Sequence, residues 1–136
     1  MNADDANYPL ADAEQAGVFL VPVEDFTTIA ASASTLGLAV QRIDLAGVAD
    51  KRGLLERISH GLRFPPDLGR NWDALSDSLR DLGWLPAKGY VVLVDHADRL
   101  QGPVEDEFQT ALDILDEASI SWAEQGVPFW VFSATP

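Results

Sequence analysis

The stretch "GYVVLVDHAD" (residues 89–98) carries five apolar residues in succession, Tyr90 to Val94, running into a polar end. Successive strand residues point to opposite faces, so a run apolar at every position reads as a strand buried on both. Three further segments have strand character. "GVFLVP" (17–22) is a short apolar run bounded by Gly and Pro, "PFWVFSAT" (128–135) is rich in aromatics, and "LAVQRIDLAG" (38–47) alternates at Val40, Arg42 and Asp44. Between them lie segments of helical period. Phe26, Ile29, Ala30, Ala33 and Leu36 repeat ahead of Gly37. Leu54, Leu55, Ile58 and Leu62 form a stripe behind a capping Asp50. A long amphipathic segment over roughly 103–125 has Pro103 in its first turn, acids at 105–107 and Gly126 as its stop. The order β, α, β, α, α, β, α, β predicts an α/β fold, a small parallel sheet covered by helices. Residues 1–16 are expected to form a flexible leader and 17–136 a single domain.

The chain has 136 residues, 47% of them hydrophobic, enough for one compact core. No apolar run reaches the roughly 18–20 residues of a membrane span, and the acidic start lacks the layout of a secretion signal, so a cytoplasmic protein is expected. The absence of cysteine removes disulfides, thiolate metal sites and cysteine nucleophiles, and two histidines cannot make a histidine-rich zinc site. No "GxGxxG" or "GxxxxGK" loop follows any strand, so no nucleotide cofactor is expected. The net charge is −13 and unevenly spread: residues 1–66 hold nine acids and five bases, residues 67–136 thirteen and four. A field of that sign disfavours nucleic acid and anionic membranes as direct partners. Solubility alone explains acidity in many proteins; the arrangement of the acids is what separates the readings.

That arrangement is most unusual in "GRNWDALSDSLRD" (69–81), capped by Asn71 and closed by Gly83 and Pro86. At 100° per residue, Trp72, Leu75, Leu79 and Leu82 fall in one sector of about 80°, the expected core face. Asp73, Asp77 and Asp81 form a slanting row on the opposite, solvent side. Asp73 sits in the first turn, where the helix dipole favours an anion by about 0.3–1 kcal/mol. Asp77 has no such benefit and bears a like-charge penalty of a few tenths of a kcal/mol from each neighbour. Asp81 lies near the unfavourable end. Arg80 can pair locally with Asp77, and Arg70 with Asp73. A solvated acidic face is the plain reading; a local cost without local return is also what a surface kept for a partner displays.

At "LGRNWDALSDSLRDL" the sequence resembles the barstar family, intracellular protein inhibitors of barnase-type ribonucleases. The preceding "DKRGLLERISHGLRFP", the strand "YVVLVD" and the closing "LDILDEA…G…FWVFS" stand in the family's order, over roughly residues 40–135. The resemblance implies a three-stranded parallel sheet with helices, whose second helix and preceding loop plug a ribonuclease active site. It implies inhibitory roles for Asp73 and Asp77, with Asn71 and Gly69 as the loop residues before them and Glu117 as a third acid on the late helix. Ser76, Arg80 and Asp81 complete the expected contact face. Three features depart from the family: Asp67 and Leu68 replace an aromatic pair, Ser76 replaces a tryptophan, and Arg80 introduces a base. Residues 17–37 are extra, and are expected to add a fourth strand at one sheet edge.

The chain is therefore expected to be a cofactor-free, metal-free, non-enzymatic inhibitor, monomeric, that blocks a basic ribonuclease in an immunity or antitoxin role. An acidic module for a toxin of another kind is the alternative, since any basic surface can meet such a helix. Asp95, His96 and Asp98 after a strand could suggest an acid–base or metal site, but strand-end aspartates commonly cap turns and one histidine is readily structural. His60 beside Gly61 suits the negative pole of a helix. Trp72, Trp122 and Trp130 read as core, and Trp84 as a candidate contact residue.

Overall fold

The computed structural model describes residues 8–66 and 70–135. Its four strands are β1 (Val18–Pro22), β2 (Ala39–Asp44), β3 (Tyr90–Asp95) and β4 (Phe129–Thr135); its helices are α1 (Asp25–Thr35), α2 (Lys51–Gly61), α3 (Trp72–Leu79) and α4 (Pro103–Glu124). The sheet is entirely parallel, in the order β1-β4-β3-β2. The α/β architecture expected from the sequence is the one observed, and β1 stands at the edge, its Val18 level with Val131 of β4.

Strand alternation divides the core in two. Tyr90, Val92 and Val94 of β3, with Phe129 and Val131 of β4, face α2, α3 and α4; Val91, Leu93, Trp130 and Phe132 face the side of α1. Both central strands are buried throughout, save Asp95 and Thr135 at their carboxyl ends. Each fully buried Val, Leu or Phe contributes about 1.5–3 kcal/mol, so these two strands hold much of the fold's apolar stabilisation.

The segment before β1 differs from the expected flexible leader. Residues 8–16 pack: Leu10 is 2% exposed, its carbonyl accepts the indole N–H of Trp130 at 3.0 Å, and Ala13–Gln15 form a short 3-10 turn capped by Asp12. The sequence does not reveal this, because one large apolar anchor between Pro9 and Ala11 carries no periodicity. Tyr8 completes an aromatic group with Phe19, Trp130 and Phe132; the last two rings stack with centroids 5.6 Å apart.

α2 is seated on β2 at Gly61, where a Cβ would lie 2.7 Å from the Arg42 carbonyl oxygen and 2.8 Å from Cγ1 of Ile43. Only glycine allows that approach, and it fixes how closely the end of α2 lies against β2.

Candidate functional site

α3 is short. Eight residues alone make a marginal helix, so its geometry depends on its ends and its packing. The Asn71 side chain accepts the Ala74 N–H at 2.8 Å, closing the amino end. Leu75 and Leu79 are buried. Two tryptophans fasten the helix to α4: Trp72 donates its indole N–H to Glu107 Oε2 at 3.2 Å, and Trp122 donates to the Leu79 carbonyl at 2.7 Å. Lys51 lies over the Trp72 ring at 5.7 Å. A surface so held loses little side-chain-bearing backbone freedom on meeting a partner.

Asp73 and Asp77 stand exposed on successive turns of α3, with Ser76 half-buried between them. Asp81 is exposed too, but not on the helix. α3 stops at Leu79, three residues short of the expected end, and Asp81 sits in the turn that follows. Leu82 causes the difference: it takes the left-handed conformation (φ 49°), is 2% exposed, and donates its N–H to Ser78 O at 3.0 Å. Its burial fits the helical sector, which is why periodicity alone carries the helix too far. The acidic row is thus two helical aspartates followed by a third on a turn.

Arg80, expected to pair with Asp77, instead reaches Glu117 of α4, at 4.0 Å. Both side chains are about half exposed, a geometry that contributes little to stability. The contact brings Glu117 into the same surface as α3. Arg80 and Glu117 line a shallow crease of about 300 Å³ with Ile120, Ser121 and Glu124. Ile120 is 57% exposed. It escaped the sequence reading, although its position about 160° from the buried stripe of α4 marks it as an apolar residue on an acidic face. Gly69, with the departures Asp67 and Leu68, lies outside the described residues.

The remaining candidates have structural partners. Trp84 is partly buried, donates to the Leu62 carbonyl at 3.1 Å and meets Phe64 edge-on, so it closes the core beneath α2 rather than offering a contact. At the end of β3, His96 (φ 63°) turns its Nδ1 to Oδ1 of Asp44 at 2.7 Å, while Asp95 accepts from Arg42 at 2.6 Å. Hydrogen bonds from the Ala46 N–H, first, and from His96 hold the Asp44 carboxyl below the usual aspartate value. These pairs tie the ends of β2 and β3 together. Among the described residues, no group of three His, Cys, Asp or Glu side chains is placed to hold a metal, and no helix is long and apolar enough to cross a membrane.

The model of the family described as Barstar (barnase inhibitor) matches residues 38–134. No curated protein sequence matches the chain. Solved structures that share its architecture include two from archaeal proteins. The Aeropyrum pernix ORC2 protein, in ADPNP–ADP complexes, gives a TM-score of 0.57 at 15% identity, over 98% of this chain and 39% of that one. Cdc6p from Pyrobaculum aerophilum gives 0.51 at 16% identity, over 89% and 33%. The chain thus spans about two fifths or less of those proteins, and at such identity the likeness is one of fold.

Proposed function

The chain belongs to the barstar family, and from that membership we propose that it is a non-catalytic inhibitor that blocks a basic ribonuclease with α3. Asp73 and Asp77 enter the enzyme's cationic cleft, where each carboxylate stands in for an RNA phosphate and accepts charge-assisted hydrogen bonds from Arg, Lys or His. Asn71 sets the start of the helix, Ser76 lies between the two acids, and Asp81, Arg80 and Glu117 form the rim. The observation that supports this most is the exposure of Asp73 and Asp77 on a helix pinned at both ends, within the matched region. Acids that repel one another in the free protein gain most when a basic partner neutralises them. Barnase with barstar is a standard example of an interface dominated by one aspartate. An intracellular setting, in a cell that makes or meets the ribonuclease, completes the proposal.

The test is capture of partners on the immobilised full chain from lysate and culture supernatant, followed by RNA cleavage by the retained protein. A basic protein whose ribonuclease activity disappears on saturation with the chain is expected, and Asp77→Ala should speed dissociation at least tenfold, about 1.4 kcal/mol or more. Retained protein whose nuclease activity survives saturation would instead favour a module for another class of toxin. Unchanged affinity in Asp77→Ala would displace α3 from the interface.

A further inference from the structure

The charge of this acidic chain reverses locally along the outer side of α2. A groove of about 640 Å³ is lined there by Arg57, His60, Arg63 and Arg70, together with Glu56, Ser59, Phe64 and Pro66. It adjoins a second groove of about 620 Å³, which shares Arg57 and His60 and adds Arg42, Asp44 and Asp95. Arg57, His60 and Arg63 follow one another at steps of three, which sets their side chains on one flank of the helix and the turn after it.

Among the described residues, each carboxylate lining these grooves already has a basic partner of its own. Glu56 pairs with Arg52 at 3.4 Å, Asp95 with Arg42 at 2.6 Å, and Asp44 with His96 at 2.7 Å. Among the described residues, neither His60 nor Arg63 forms an ion pair, and Arg57 donates only to a backbone carbonyl, that of Asp44, at 2.7 Å. The negative pole of α2 accounts for one base at its last turn, worth about 0.3–1 kcal/mol. It does not call for an imidazole flanked by two guanidinium groups, which repel each other by a few tenths of a kcal/mol.

We propose that this groove binds a phosphate-bearing ligand, with Arg57 and Arg63 as its two guanidinium forks and His60 between them. A guanidinium offers five N–H donors in a planar fork matched to phosphate oxygens. Arg57 spends one on Asp44 and keeps the rest for a ligand. Ser59 adds a hydroxyl, while Phe64 and Pro66 provide an apolar end to the groove. The groove shares no described lining residue with α3, and the assignment does not depend on the ribonuclease proposal.

The experiment follows the arginine Nε–H and His60 ring signals of the isotopically labelled full chain at about 0.15 M salt, where the screening length is about 8 Å. Pyrophosphate, adenosine 5′-monophosphate and adenosine are titrated in turn. Saturable shifts confined to Arg57, His60 and Arg63 are expected with the two phosphate compounds, at a dissociation constant of about 1 mM or below, and none with adenosine. Tighter binding of the monophosphate would assign the site to nucleotides; tighter binding of pyrophosphate would assign it to phosphate groups alone. Arg63→Glu, at an exposed position without an ion pair, should weaken either by about tenfold or more while leaving the fold intact. Absence of saturation, equal shifts at Arg52 and Arg99, or unchanged binding in Arg63→Glu would each overturn the assignment.

Discussion

Asn71 does two things with one side chain: it starts α3 and, by starting it there, determines which residues project outward. Asn71→Ala should cost about 1 kcal/mol in urea unfolding, whereas Asn71→Asp and Asn71→Ser, which keep an acceptor for the Ala74 N–H, should stay close to the parent. Asp77→Ala should leave the free protein unchanged or slightly more stable, because it relieves repulsion; a loss of several kcal/mol would make the acid structural. Asp44 responds to pH instead. Its folded pKa lies below the ordinary value of 3.8, so its contribution is complete above that value and is lost as pH falls through the lower folded one. Asp44→Asn should therefore flatten the acid-side slope of stability, read from urea midpoints at about pH 5 and about pH 2.5. Asn71 and Asp73 were legible in the sequence because capping and dipole effects act locally. The pairing of Arg80 with Glu117 was not, since it depends on the approach of two helices far apart in the chain.

Among the elements, α2 and α3 show how the sheet dictates the surface. Gly61→Ala must push a methyl group against the Arg42 carbonyl and Ile43, and should cost about 1–3 kcal/mol, measurable by denaturant melting. Periodicity located all four helices, and strong end signals fixed two of them well: Asp50 caps α2 and Pro103 opens α4. The end of α3 was misjudged because burial and helicity part company at Leu82. A buried residue at the correct angle satisfies the pattern whether it continues a helix or turns away in the left-handed region. Ile120 shows the converse: an apolar residue on the solvent side of α4 leaves the hydrophobic stripe intact and so passes unnoticed.

For the molecule as a whole, a net charge of −13 implies that encounter with a cationic partner is steered at long range. Raising salt from about 0.05 to about 0.3 M should slow association several-fold and leave dissociation nearly unchanged, as read by stopped-flow mixing with the captured protein. The layered parallel sheet was legible from the apolar runs and the helical segments between them. The burial of Leu10 was not, because it is decided by the Trp130 indole 120 residues away. β4 has a kinetic consequence. It is the most downstream strand, yet it lies between β1 and β3, joining residues 18 and 131. A ribosome must release residues 129–135 before β1 has any neighbour to join, so strand-edge groups and the aromatic side chains of the early segment wait unpaired until then. Ring closure over so many residues is slow, and the nascent protein is open to misassociation or to chaperone capture until that central strand arrives.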